Sequence, residues 1–301
     1  MGSPEQEDRL SPRWAFAGCK PQAIAVLEAL AGAGFLPAFV AWPEGALEDD
    51  SATLIDWATA KGVPVHGSKG LEESQIGLSK LDLLLVCRFN LLQQQVYSAP
   101  RLGSVNIHSS LLPAYRGVHP VSWAMINGER ETGVTVHSID AGVDTGRILR
   151  QAAIPIEDRH DLWTLTRDLD RLSARVALDL FGELSANGRL PVGRSQNGHH
   201  SYARRRGPDD SRIEWSGPAR GVFNLVRALP PPMPPAFTER RDGARVPVLA
   251  CAADPREGQR GTAPGTVLGY DRGGAAVVQC GGGEAAAIRC EPSLTSGERL
   301  A

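Results

Sequence analysis

The chain of 301 residues is 42% hydrophobic and carries a formal net charge of −2. It is long enough to bury two cores, one in a domain of about 200 residues and one of about 100, and it lacks any uninterrupted apolar stretch of the roughly 18 residues that a membrane span requires. The five cysteines are an odd number with no C-x-x-C pair, which argues against a disulfide framework and a zinc site. We therefore expect reduced, buried thiols and no metal. Residues 1–14 are acidic and polar where a signal peptide is basic and then apolar, and we read them as a loose leader on a cytoplasmic protein.

From Trp14 the pattern alternates strand and helix. WAFAG (14–18) reads as a short buried strand, PQAIAVLEALAGAG (21–34) as an amphipathic helix closed by glycine, and PAFVAW (37–42) as a second strand. SATLIDWATAKG (51–62) reads as a helix capped by Ser51 and LDLLLVC (81–87) as another buried strand. SVNIH (104–108) follows as a strand, HPVSWAMING (119–128) as a helix, TGVTVHSI (132–139) as a strand, and residues 161–188 as one or two long helices. Such alternation predicts a doubly wound α/β domain over residues 1–200, with a parallel-rich sheet and helices on both faces.

Residues 191–210, PVGRSQNGHHSYARRRGPDD, are polar, basic and rich in Gly and Pro, so they read as a linker or a surface strap in which His199 and His200 are solvated. The pattern then changes. A helix at 217–229 is followed by PPPMPPAF, which cannot be helical, and by short β-like runs at 245–251, 265–270, 275–280 and 285–290 between Gly-rich turns. They predict a small β-barrel of about 90 residues within a second domain, 201–301.

Strand side chains alternate faces, so Asn106 and His108 project together from the C-terminal end of SVNIH, where open parallel sheets bind ligands. An amide and an imidazole side by side can both donate to a carbonyl oxygen that is gaining negative charge. Alone, the pair also reads as a polar cap on the sheet. The Asp- and Gly-rich turn after TGVTVHSI adds Asp144, a carboxylate placed to orient the imidazole, raise its pKa and keep it protonated, and relay a proton from an attacking amine through water. That set suits acyl transfer without a covalent nucleophile.

N-x-H-x-S-L-L-P-x-Y-R-G (106–117), followed by a strand and D-x-G-x-D-T-G (140–146), resembles the formyltransferases that use 10-formyltetrahydrofolate. The resemblance runs from FAG at 16–18 to SGER near the end. It implies a Rossmann-like catalytic domain, an OB-like β-barrel domain after it, and a catalytic triad of Asn106, His108 and Asp144. It also implies that the SLLP turn, with Ser110, Tyr115 and Arg116, lines the entrance to the site. The pterin is expected on the loop after the fourth core strand, Arg88, Phe89, Asn90, Leu91 and Leu92, and on Ile139, Asp140 and Val143. Arg88 and Phe89 bring a cation and a ring where the resemblance implies small or aliphatic residues, and a surface turn with an ion-paired Arg is the alternative there. His137 reads either as part of the site or as a hydrogen-bonded core histidine.

His119, Pro120 and Trp123 match the start of a helix in sugar-nucleotide N-formyltransferases, and they are expected at the acceptor, although Trp123 alone also reads as core. Enzymes of the family that act on methionyl-tRNA carry a long basic insertion after the second strand. Here that place reads PEGALEDDSATL, with Glu44, Glu48, Asp49 and Asp50. Carboxylates there oppose a polyanion, because phosphate binding relies on Lys and Arg to displace counterions. The expected acceptor is the primary amine of a small molecule, such as an amino sugar, a sugar nucleotide or a specialised-metabolite precursor, with methionyl-tRNA the disfavoured alternative. A 10-formyltetrahydrofolate hydrolase would use the same triad on water, and it would be expected to carry a further domain.

Overall fold

The structure, a computed structural model, describes residues 11–43, 48–73 and 75–301. Its contacts divide the chain into two compact units. The first takes in the chain as far as Gly117 with Thr132–Ile154 and Arg167–Tyr202, and the second comprises Val118–Glu131, Pro155–Thr166 and Ala203–Ala301. Two stretches inside the first 200 residues thus belong to the second unit.

Strands β1 (Trp14–Gly18), β2 (Val40–Trp42), β3 (Val65–Gly67), β4 (Leu83–Cys87) and β5 (Ser104–His108) are joined through helices α1 (Lys20–Gly32), α2 (Glu48–Lys61), α3 (Ser68–Glu73), α4 (Gln75–Leu78) and α5 (Gln94–Tyr97). A two-residue strand β6 (Arg116–Gly117) and helix α6 (Pro120–Ile126) follow. Next come β7 (Glu131–Ser138), β8 (Ile148–Pro155) and the single helix α7 (Leu162–Asn187). The main sheet has the order β3-β2-β1-β4-β5-β7-β8. β1 and β4 are buried along their whole lengths, which is why they read as unbroken apolar runs. Ala15, Ala17, Leu84 and Val86 share one cluster with Phe39, Leu71 and Leu78, while Trp14 meets Phe181 of α7 edge-on at 4.7 Å.

The first five strands are parallel and β7 runs antiparallel to β5, so the sheet is parallel-rich as expected, with the reversal at β7 not foreseen from the alternation. The reversal matters for the site. It sets Asn106 directly opposite His137 and His108 opposite Thr135, where cross-strand neighbours share a face. Helix α2 starts at Glu48, three residues before the expected cap, so Ser51 lies inside it. β3 and β8 have no counterpart in the predicted elements: β3 is only three residues long, and β8 includes Arg150 and Gln151 in a run without clean alternation. Of the acidic stretch after β2, Glu44 lies outside the described residues, and Glu48, Asp49 and Asp50 open α2.

The second unit continues through β9 (Tyr202–Ala203), a 3-10 turn at Pro208–Ser211, α8 (Ala219–Arg227), and strands β10 (Ala236–Glu239), β11 (Arg245–Cys251), β12 (Arg256–Glu257), β13 (Val267–Tyr270), β14 (Ala276–Gln279) and β15 (Glu284–Cys290). Its strands pair antiparallel in the order β10-β11-β15-β14-β13, with β12 added to β15. Val222, Leu225 and Val226 of α8 pack against Val246, Val248, Val278 and Ile288 of the strands. Arg227, 8% exposed, donates to the carbonyls of Glu157 and His160, tying the 155–166 stretch to α8. No disulfide joins the five cysteines; Cys19, Cys87 and Cys280 are buried, while Cys251 and Cys290 are half-buried.

Candidate active site

β5 delivers Asn106 and His108 to the C-terminal edge of the sheet, and the loop after β7 returns Asp144 to them. Asp144 Oδ2 stands 3.5 Å from His108 Nδ1 and accepts the Gly117 N–H at 2.8 Å, while Oδ1 accepts from Asn106 Nδ2 at 3.4 Å. His137 joins this group. Its Nε2 is 3.3 Å from Asp144 Oδ1 and 3.2 Å from Asn106 Nδ2, and its Nδ1 donates to the Ser138 carbonyl at 2.9 Å. His137 is 2% exposed, so it is a buried, hydrogen-bonded histidine that also touches Asn106 and Asp144.

The loop that aims Asp144 depends on its glycines. A Cβ on Gly146 would stand 1.7 Å from the Ser138 carbonyl oxygen, and one on Gly142 would stand 2.1 Å from Thr145 Oγ1. Thr145 and the Gly142 N–H both donate to Asp140 Oδ1, at 2.5 and 3.1 Å, so Asp140 ties the turn together. Asp144 itself has φ 53°, a left-handed conformation that non-glycine residues keep only when their surroundings hold them. Gln196 does the holding: its Nε2 donates to the carbonyls of Asp144 and Gly146, and its Oε1 accepts two bonds from the Arg116 guanidinium. Gln196 was invisible in the sequence, one amide among the polar residues of a strap. The Arg116 guanidinium, which the resemblance put at the substrate, is buried and engaged by it.

Ser110 Oγ donates to the Ala114 carbonyl and closes the SLLP turn. Tyr115, with φ 59°, turns its carbonyl onto His108 Nε2 at 2.8 Å. A carbonyl only accepts, so Nε2 carries a hydrogen, and Nδ1 beside Asp144 is the nitrogen that gains or loses one. Burial is the largest influence on His108 and pulls it below its ordinary value, against Asp144 and the Tyr115 carbonyl, which favour the charged ring. The expectation of a raised imidazole is thus reversed, because desolvation outweighs the carboxylate. Burial also pushes Asp144 up, but the His137 hydrogen bond, the His108 charge and the Gly117 N–H together hold its carboxyl at about 2.

Phe89, Leu92 and Ile139 pack on the edge of the same core cluster, bringing together the two loops expected to hold the pterin. Leu91 is 83% exposed and Val143 is 39% exposed there, and Asn90 is also exposed. Arg88 departs from this set, because its guanidinium turns inward onto Gln22 and Ser109. His119 and Trp123 lie in the second unit. His119, exposed and with φ 58°, precedes α6, and the Trp123 indole donates to the Arg204 carbonyl at 2.7 Å.

Residues 73–179 match the family described as formyl transferase, and residues 206–292 match the formyl transferase C-terminal domain. A methionyl-tRNA formyltransferase of Thiobacillus denitrificans is 37% identical over 278 residues, 89% of this chain and 88% of the relative. The chain belongs to the formyltransferase family. Another relative, a methionyl-tRNA formyltransferase of Anaeromyxobacter sp., is 34% identical to this formyltransferase over 91% of the chain and 89% of its own length. Among solved structures, an N-formyltransferase from Helicobacter canadensis, crystallised with folinic acid and dTDP-3-aminofucose, has a TM-score of 0.66 at 20% identity, covering 93% of this chain and 99% of its own. The sugar 3N-formyltransferase WlaRD gives 0.65 at 17% identity, covering 94% and 99%. Both share the fold of this formyltransferase. Among the described residues no helix is long and apolar enough to cross a membrane.

Proposed function

We propose that the protein moves a formyl group from 10-formyltetrahydrofolate to the primary amine of a small molecule, with Asn106, His108 and Asp144 as the catalytic residues and His137 beside them. The observation that carries the chemistry is the Asp144 carboxylate within 3.5 Å of both Asn106 and His108. The folate, when bound, supplies the formyl carbon. Phe89, Leu91, Ile139 and Val143 would hold its ring system. As the amine attacks, Asn106 donates to the oxygen that gains negative charge. His108 Nδ1 takes the proton that the amine loses, Asp144 stabilises the resulting imidazolium, and the ring would return that proton to the donor nitrogen as the nitrogen's bond to the formyl carbon breaks and tetrahydrofolate leaves. Because Nε2–H is held on Tyr115, Nδ1 is bare in the neutral ring and ready to accept.

The small-molecule acceptor rests on charge. The place of the basic insertion holds Glu44, Glu48, Asp49 and Asp50, and residues 1–201 carry 18 basic against 23 acidic side chains, a net of −5, with 14 against 11, a net of +3, in residues 202–301. A catalytic domain with that balance lacks the phosphate contacts that sustain binding of a large polyanion at physiological salt. Methionyl-tRNA is the second reading, favoured by the names of the curated relatives. Purified protein with 10-formyltetrahydrofolate is offered initiator methionyl-tRNA, amino-sugar nucleotides and aminoglycoside-like amines at about 150 mM salt, and tetrahydrofolate release and product mass are read. Turnover with a small amine and none with tRNA is expected; efficient formylation of the tRNA at that salt would replace the first reading with the second.

A further inference from the structure

Arg88 follows β4 in a left-handed conformation, φ 58°, and its side chain turns inward. Nε donates to Gln22 Oε1 at 2.7 Å and an Nη to Ser109 Oγ at 3.3 Å. Ser109 also donates to Gln22 Oε1 at 3.2 Å, Gln22 Nε2 donates to Ser173 Oγ at 2.8 Å, and Ser173 donates onward to the Leu169 carbonyl at 2.7 Å. Gln22, Ser109 and Ser173 are 2%, 3% and 0% exposed. One guanidinium thus ties together α1, α7 and the residue immediately after His108. The fork of an Arg can do this with two parallel donors, whereas a Lys offers a point charge without the fork.

We propose that Arg88 is a positioning residue for His108: its guanidinium fixes the backbone that carries the imidazole and sets a permanent positive charge in its surroundings. The groups that bear on that ring are Asp144 from the loop after β7, His137 from β7, the Tyr115 carbonyl from the SLLP turn, and Arg88 from the end of β4. Asp144 and Tyr115 favour a proton on His108, and Arg88 and His137 oppose it. Arg88 thereby helps keep Nδ1 bare before the amine attacks. The same cation faces Asp170 of α7, whose carboxyl burial raises to about 6 and Arg88 draws back down. The kinetic consequences rest on the formyl-transfer reading; the charge on His108 does not.

The test therefore has two arms. In the first, the His108 ring resonance, assigned by its loss in His108→Asn, is titrated by NMR in the unaltered protein, Arg88→Met and Arg88→Lys, with no acceptor present. His108 should titrate higher in Arg88→Met, and at its unaltered position in Arg88→Lys. In the second, single-turnover kinetics with an accepted amine should show kcat down by about 10-fold or more in Arg88→Met, with the donor KM changed by less than about 3-fold, and Arg88→Lys in between. Should Arg88→Met not fold, Ser109→Ala removes the hydrogen bonds of Ser109 to Arg88 and Gln22 while leaving the cation in place: kcat should fall and the titration stay where it is. A His108 titration that does not rise in Arg88→Met, a displaced titration in Arg88→Lys, or an unchanged kcat in Ser109→Ala overturns the proposal. So does a raised donor KM at unchanged kcat, which would make Arg88 a folate contact as the resemblance implied. If no amine is accepted at all, the formyl-transfer reading fails while the titration arm still decides the role of Arg88.

Discussion

Asn106, His108 and Asp144 form a cluster joined through the Asp144 carboxylate, so removing one member disturbs the others as well as the chemistry. Substitution of any of the three by alanine should lower kcat by about 10² or more in a protein that still folds, as loss of an oxyanion donor or a proton acceptor does; near-normal turnover in two of the three would remove the assignment. His137→Ala should cost less, through a loosened Asp144. Because burial holds His108 low, the acid limb of the rate profile should fall below the ordinary histidine value of about 6.5. A limb above that value that disappears in His108→Asn would contradict the neutral-ring reading. Asp144 has its own signature. Its folded carboxyl titrates at about 2, below the unfolded value, so it contributes stability that is present above about pH 4 and is lost as pH falls toward 2, on the order of 2 kcal/mol. Urea midpoints measured between pH 2 and 6 should show that slope, and it should be weaker in Asp144→Asn.

At the scale of the element, the 139–146 loop decides whether those residues meet. Gly146→Ala drives a methyl group into the Ser138 carbonyl, so the loop must lift from β7 or the strand must give. We expect a loss of about 1–3 kcal/mol in thermal or urea unfolding and at least a 10-fold fall in kcat, whereas Gly128→Ala, at a positive-φ glycine outside the loop, should cost stability without a matching loss of turnover. The loop was legible in the sequence because Asp and Gly at fixed spacing declare a tight turn. Its clamp was not: Gln196 reaches Asp144 from 52 residues away, and nothing in a polar strap marks one amide as a ligand of two carbonyls. Ser51 illustrates the same limit, since a good capping residue was available and the helix began three residues earlier. β8 went unseen because it is half-buried along most of its length and its polar side chains break the alternation.

At the scale of the whole molecule, chain order and compact unit do not coincide. A fragment ending at residue 202 would keep residues 118–131 and 155–166 while discarding the unit to which they belong, including the Arg227 bonds to Glu157 and His160. We expect such a fragment to be aggregation-prone, or to unfold with low cooperativity by circular dichroism, and to lack formyl transfer; a stable, active fragment would show the division to be one of contacts only. Charge acts at this scale too. Replacing Glu48, Asp49 and Asp50 by Lys should raise non-specific RNA binding in a filter assay without improving turnover of a small amine, and improved tRNA formylation in that variant would reveal the acidic run as the barrier to a tRNA acceptor.

Composition and period were enough to determine an α/β domain followed by a small β domain and the strand that carries Asn106 and His108, and the two motifs carried the resemblance to the family, because those properties are local: they depend on which residues sit within one turn or one strand of each other. The antiparallel return of β7 depended on folding, and with it the placing of His137 opposite Asn106. So did the inward turn of Arg88 onto Gln22 and Ser109, since a guanidinium on a loop is equally compatible with solvent, folate or a buried amide until the helices are packed. The charge state of His108 was likewise decided by the tertiary structure. A neighbouring carboxylate can be read from a motif, but desolvation is a property of everything that surrounds the ring, and here it is the larger of the two.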